Sequence, residues 1–310
     1  MEYRALDLRG GDVIEVLSEE EILSTLGDDG AFEGIPFMQE MKRFCGRRFR
    51  VFKRADKICV EGAYVSRLRN AVFLEDVRCD GANHDGCGRL CLIFWKEAWL
   101  KRVDQGENPE PPVNWLNIPP PREKFPIDHK KIFSCQSTAL LKAVEPLSGW
   151  DLSQYARDIS SRSFTPWQVI KAIFINFFNM TMRYAGGEEF GAAVGKEIKT
   201  PVVDFNLKQG DLVEVKSKTE IQKTIDSAGK NRGLRIDYEM LRHAGKKFRV
   251  LRRVDRIILE TTGKMREIKN TVLLDNGGCE GLCRRACART SHPMWREAWL
   301  KRVDESSSAE

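Results

Sequence analysis

The chain repeats itself, and no other feature constrains its fold as strongly. Gly11-Asp12-Val13-Ile14-Glu15-Val16-Leu17-Ser18 recurs as Gly210-Asp211-Leu212-Val213-Glu214-Val215-Lys216-Ser217. The match continues in register: Met41 answers Met240, and Gly46-Arg47-Arg48-Phe49-Arg50-Val51 answers Gly245-Lys246-Lys247-Phe248-Arg249-Val250. After a single-residue insertion, Ala71-Val72-Phe73-Leu74-Glu75 answers Thr271-Val272-Leu273-Leu274-Asp275, and the Trp-rich run from Trp95 to Asp104 answers Trp295 to Asp304. The fold must therefore hold two copies of roughly a hundred residues around a distinct middle.

Within the first copy, short apolar or alternating runs at 12–16, 49–52, 57–61 and 71–75 are separated by turn-forming and charged residues, the pattern of short strands. After the first run, Ser18-Glu19-Glu20-Glu21 and Ser217-Lys218-Thr219-Glu220 both spell Ser-x-x-Glu, whose hydroxyl and carboxylate satisfy free amides at a helix start. Trp95, Ala98, Trp99 and Arg102 share one side if that run is helical. The expected class is α+β: two tandem-duplicated SH3-like small β-barrel modules, at 1–104 and 201–310, each with an inserted helix, a Cys/His metal loop and a short C-terminal helix. Pro109, Pro111, Pro112 and Pro119 to Pro121 mark a Pro-rich linker at 105–126, and a helical middle domain follows at 127–200. There, Thr165-Pro166 supplies an N-cap and a first-turn proline, the apolar run continues to Met182, and Gly186-Gly187 closes it. This run falls short of the roughly 20 residues a membrane span needs and is read as a buried helix.

The nine cysteines are an odd number, and six fall in two tight clusters. That distribution suits metal ligands in a reducing compartment better than a disulfide framework. With no basic-then-apolar leader at the N-terminus, the expected location is cytoplasmic. Cys79 aligns with Cys279 and Cys87 with Cys287, a shared pair; the first copy adds His84 and Cys91, the second Cys283 and His292. Each set of three cysteines and one histidine suits tetrahedral zinc. An iron-sulfur cluster is the alternative, although the spacings match neither common ferredoxin run. Cys45 and Cys59 align with Ala244 and Ile258 and are expected in the core, while Cys135 has no counterpart and is either an external ligand or a thiol of its own. His243 aligns with Phe44 and is expected as a packed ring; His129, beside two lysines, is expected in solvent.

The runs Arg78-Cys79-Asp80-Gly81, His84-Asp85-Gly86-Cys87 and Phe94-Trp95-Lys96-Glu97-Ala98-Trp99-Leu100, with Cys135-Gln136 and Trp150-Asp151, resemble those of a family of duplicated bacterial Cys/His-cluster proteins with Trp-Lys-Glu-Ala-Trp-Leu-type motifs. The resemblance covers most of the chain and implies no activity. In that family the pair matching Cys279 and Cys287 is kept more steadily than a third cysteine.

Each copy also carries a basic strand: Arg47, Arg48, Arg50, Lys53 and Arg54, then Lys246, Lys247, Arg249, Arg252 and Arg253. Alternation with Phe49/Val51 and Phe248/Val250 sends apolar side chains inward and cations outward. Such a face suits a nucleic acid or an acidic protein partner, or serves as a strand edge guarded by charge. A net charge of +6 does not separate these. Two function classes follow: a metal-stabilised binding or scaffold protein, and an iron-sulfur or open-metal-site enzyme acting on a small molecule. The closed ligand sets, with no HExxH, phosphate loop or Ser/His/Asp set, favour the non-catalytic class.

Overall fold

The structure, a computed structural model, describes residues 5–61, 65–103, 108–120, 126–282 and 285–303. Cys283, Asp104, Asp304 and linker positions 105–107 and 121–125 lie outside these residues. In the first half the strands are β1 (Val13–Val16), β2 (Ala31–Phe32), β3 (Ile35–Pro36), β4 (Arg48–Arg54), β5 (Ile58–Cys59), β6 (Val65–Arg67), β7 (Ala71–Leu74), β8 (Trp95–Lys96) and β9 (Leu100–Arg102), with helix α1 (Glu19–Leu23) after β1. The middle carries α2 (Gln136–Ala143), β10 (Glu145–Pro146), α3 (Ser153–Ser160) and α4 (Pro166–Tyr184). The second half runs β11 (Leu212–Val215), α5 (Lys218–Gln222), β12 (Lys230–Asn231), β13 (Leu234–Arg235), α6 (Tyr238–Leu241), β14 (Lys247–Arg253), β15 (Arg256–Ile258), β16 (Met265–Glu267), β17 (Thr271–Leu274), β18 (Trp295–Arg296) and β19 (Leu300–Arg302).

The chain is thus α+β, and its two largest sheets have one design. Their orders are β8-β7-β4-β1-β9 and β18-β17-β14-β11-β19, antiparallel throughout. Ile14 faces Phe49 as Val213 faces Phe248, and Val16 faces Leu100 as Val215 faces Leu300. Both helices after the first strand start on the expected capping boxes, Ser18 with Glu21 and Ser217 with Glu220.

No closed barrel forms among the described residues, because the outer strands β8 and β9 are not paired. The sheet is nonetheless strongly curled. Five strands laid flat span roughly 19 Å edge to edge, whereas only Glu97–Trp99 separates β8 from β9, and the four steps from Lys96 to Leu100 reach at most about 14 Å.

The Trp-rich run is a strand, a 3₁₀ turn and a strand, where a single short helix was expected. Eight residues make a poor isolated helix, and their backbone groups are taken by Ala71–Val72 on one side and Ile14–Val16 on the other. The turn keeps both indoles inside the curl. Trp95 and Trp99 are fully buried, as are Trp295 and Trp299; Phe44 meets Trp95 edge-on and Phe37 meets Trp99. Truncating any of the four indoles to alanine costs roughly 3–5 kcal/mol.

The strict alternation expected of the basic strands breaks at a register shift between Val51 and Lys53, matched between Val250 and Arg252. An extra residue at a bulge reverses the facing of all that follow. Arg54 therefore turns inward and donates to Glu97, itself fully buried, at 2.5 Å. Arg253 reaches Glu297 at 2.7 Å in the same way.

Helix α4 begins on the expected Thr165 cap and first-turn proline, and Gln168 completes a capping box with Thr165. It is not buried all round: Val169, Ala172 and Ile175 face the core, while Trp167, Ile170, Phe174 and Phe177 are exposed. The run carries more apolar surface than the first half covers. Leu140 of α2, Tyr155 of α3 and Val169 of α4 join the first half's core, and Trp115 of the Pro-rich segment packs with Leu251, Val254 and Leu273 of the second half.

The two halves meet by exchanging loops. The loop between β7 and β8 docks on β15, and that between β17 and β18 docks on β5, each using equivalent atoms. Gly88 N–H donates to Arg256 O at 2.9 Å and Ala288 N–H to Lys57 O at 2.8 Å. Arg89 Nη1 donates to Ile258 O and Arg289 Nη1 to Cys59 O, both at 3.3 Å. Glu61 and Glu260 each donate their amide to the other's carboxylate, at 3.2 and 3.4 Å. This reciprocity is what a two-fold contact between identical subunits produces, here within one chain.

Candidate metal centre

Both exchanged loops are built on a tight turn that only glycine permits. Gly81 has φ +81° and Gly281 φ +79°, and a Cβ at either would stand 2.0 Å from the carbonyl oxygen of Cys87 or Cys287. The first loop is closed at its base by Cys79 N–H donating to Cys91 O at 2.9 Å, and the second by Cys279 N–H donating to Ser291 O at 2.9 Å. The first and last positions of the cluster are thereby brought side by side.

Within the first loop, three donors converge. Glu40, on a 3₁₀ turn at Gln39–Phe44, accepts from Cys79 Sγ at 2.9 Å and faces His84 Nδ1 at 2.8 Å; Cys79 Sγ and His84 Nδ1 are 3.9 Å apart. These donor atoms all lie within 4.8 Å of one another, and among the described residues no other group of three does so. Cys79, His84, Cys87, Cys91 and Cys135 all line one cavity, of about 30 Å³, walled also by Met38, Arg89 and Ile258. The first predicted set is therefore gathered around one space, and Cys135 joins it. Sequence reasoning missed Glu40, although Glu precedes the matched Met41 and Met240 in both copies.

Burial and the Glu40 carboxylate set the electrostatics of this pocket. Burial pushes the Cys79 thiol well up, with the Glu40 charge adding to it, and pushes Cys87 up to about 11. Burial also works against charge on His84, but the Glu40 carboxylate outweighs it and holds the imidazole above its ordinary range. Glu40 itself is held low against burial by His84 and Cys79. Its Oε2 is buried with no hydrogen-bond partner among the described residues. Tetrahedral zinc with sulfur, nitrogen and oxygen ligands sets donors about 3.3–3.8 Å apart. The three contacts bracket that spacing, so the group fits such an ion after small movements and loss of the thiol and imidazole protons.

Cys279, Cys287 and His292 of the second predicted set do not lie within 4.8 Å of one another, and Cys283 lies outside the described residues. Cys287 is buried, and Cys279 Sγ accepts from Gly281 N–H at 3.2 Å. The near neighbour of Cys287 is Cys59 of the first half, Sγ to Sγ 3.2 Å, whose amide also donates to Cys287 Sγ at 3.0 Å. Cys59, expected in the core, thus stands at a thiol contact between the halves. His292 is half-buried, with a buried, unpartnered Nδ1 among the described residues, its pKa pushed down to about 3 by burial and by the charge of Arg78.

The predicted basic faces differ between halves. Arg47 pairs with Glu110, Arg48 with Glu15 and Arg50 with Glu75. Lys246 and Lys247 are exposed, with no ion pair among the described residues, and exposed Arg249 donates to Gly210 O at 3.0 Å.

No protein-family model matches the chain, and neither a curated protein nor a solved structure matches it. Among the described residues, no helix is long and apolar enough to cross a membrane.

Proposed function

We propose that this chain is a non-catalytic, metal-stabilised binding protein built from two SH3-like modules, in which the first Cys/His loop holds a structural zinc ion through Cys79, His84, Cys87 and Cys91. The observation that carries this reading is the approach of Cys79 and His84, both in contact with Glu40, on the wall of the cavity that Cys87 and Cys91 also line. Glu40 accepts from the Cys79 thiol and faces His84 Nδ1. With zinc held by Cys79 as thiolate and by His84 through Nε2, Glu40 would keep its bond to His84 Nδ1–H and orient that ring from behind, in place of acting as an oxygen ligand. The modular reading is supported by the curled strand order and the 3₁₀ turn between the last two strands.

The alternative is an iron-sulfur cluster, favoured by one observation: Cys135 brings the cavity's thiols to four. The ligand spacings match neither common ferredoxin run, which favours a single ion. Protein purified without oxygen decides between them. Colourless protein carrying zinc supports the proposal; brown protein with iron and sulfide overturns it. The partner is of acidic chemistry, met first by the exposed Lys246 and Lys247, because the equivalent Arg47 and Arg48 are internally paired. Binding to DNA, RNA or an acidic peptide that does not weaken with salt excludes charge as the main attraction.

A further inference from the structure

Helix α4 has two apolar faces, and the fold uses one of them. Val169, Ala172 and Ile175 pack into the first half's core, whereas Trp167, Ile170, Phe174, Phe177 and Tyr184 are exposed by 73, 57, 60, 59 and 90%. With exposed Thr181, these residues follow one another at steps of three, four, three, four and three along the chain. Such alternation is the 3.5-residue period of a helix–helix seam, and here it runs the whole length of α4. We propose that this face is covered by the same face of a second copy of the chain, with the two α4 helices antiparallel.

Three observations choose this occupant. The first is area. At about 200 Å² for a whole aromatic side chain, the four rings leave roughly 550 Å² bare on one copy and about twice that on two. A specific interface needs about 1,000 Å² in all, so this seam suffices before its isoleucines are counted. The second is charge. No Asp or Glu lies between Pro166 and Tyr184, and the charged side chains there are Lys171 and Arg183. Antiparallel pairing that sets Phe174 against the partner's Phe177 sets Trp167 against the partner's Tyr184. It brings Lys171 level with the partner's Met180 and Arg183 level with the partner's Gln168, so like charges stay apart. Parallel pairing would set each cation beside its own copy, which is unfavourable. The third is Thr181, the one polar residue of the seam, which the antiparallel register sets against the partner's Ile170. Its hydroxyl donates within its own helix, to Phe177 O at 2.7 Å with Phe178 O at 3.0 Å. Covering Thr181 therefore leaves no hydrogen bond unmade.

A lipid surface is the other occupant that a helix rich in Trp and Phe suggests. An interfacial helix, however, carries its cations on the side opposite its apolar face. On α4 that opposite side is Val169, Ala172 and Ile175, buried in the protein core.

The inference does not draw on the metal reading, and its test uses the full chain. Sedimentation equilibrium is run at concentrations on either side of roughly 10 µM, where an interface of this size dissociates. The expected result is a monomer–dimer equilibrium. Phe174→Glu and Phe177→Glu should each weaken the dimer by at least about 100-fold, because a carboxylate is buried without a partner. Thr181→Leu should tighten it by about tenfold, since more apolar surface is covered. All three positions are exposed in the single copy, so melts of dilute, monomeric protein should be unchanged. Orientation is read by mixing Phe174→Lys with Phe177→Glu: each is a monomer alone, and together they should form a heterodimer, since position 174 of one chain meets position 177 of the other. A parent that stays monomeric, or a dimer that both glutamate variants leave intact, overturns the proposal. A mixture that stays monomeric overturns the antiparallel pairing. A parent that is monomeric in solution and binds vesicles of anionic phospholipid, with binding lost in Phe174→Glu, assigns the face to lipid and overturns the proposal as well.

Discussion

The two Cys loops share a backbone and differ in their chemistry. Both turn on a glycine that a Cβ would drive into a cysteine carbonyl, both are closed by the same amide-to-carbonyl bond, and both dock on the opposite half's hairpin. Yet the first collects a histidine and four thiols around its cavity, with a carboxylate against two of them, and the second faces a thiol from the other half. What is common is the geometry that hydrogen bonds and van der Waals exclusion impose. What varies is the side chains that geometry presents.

That comparison can be broken most forcefully at the shared turn. Gly81→Ala and Gly281→Ala should each destabilise the fold by about 4 kcal/mol or more, since the added methyl meets backbone and φ is positive. Denaturant unfolding of both variants checks this; a loss in only one would mean the loops do not share a geometric requirement.

Next in size are the buried carboxylates of the Trp-rich runs. Glu97→Ala leaves buried Arg54 with only Asp56 as a close carboxylate and takes the acceptor from the Leu8 amide, and should cost about 3 kcal/mol. Glu297→Ala should cost less, because the Arg253 side chain is 27% exposed against 3% for Arg54. Equal losses in thermal melts would contradict the difference in burial.

The third difference is a histidine in place of a phenylalanine. Burial, with Arg242 and Lys246 nearby, pushes His243 down to about 4, whereas the unfolded side chain titrates near 6.5. Between those values the unfolded state binds the extra proton, so stability is full above about pH 6.5 and falls as the solution is acidified, by about 2 kcal/mol at pH 5. His243→Phe, copying Phe44, should flatten that part of the stability–pH curve. An unchanged slope would assign it to other groups.

The smallest effect concerns the basic faces. Glu110→Gln should change stability by less than about 1 kcal/mol, because its pair with Arg47 is more than a third exposed. It should also make Arg47 as available as Lys246. If salt-dependent partner binding rises no further than in the parent, the first face takes no part.

Much of this was legible in the residues. The helix starts after the first strands rest on local Ser-x-x-Glu bonds, so Ser18 and Ser217 announced them without any tertiary context. The first Cys/His set was legible because its members lie within thirteen residues of sequence. The Trp-rich run was misread as a helix: its four-residue spacing fits a helix face and a strand–turn–strand alike, and only pairing with two different strands separates them. Nothing local marks the bulge that turns Arg54 inward.

By itself, then, the sequence determined the repeat, the short strands, the capped helices and the cysteines that cluster along the chain, all properties set by neighbours a few residues apart. The exchange of loops between halves was decided only in three dimensions. Glu40 reaches Cys79 across 39 positions and Cys59 reaches Cys287 across 228. Contacts at such separations follow from how two curled sheets bury their faces, and no periodicity along the chain encodes them.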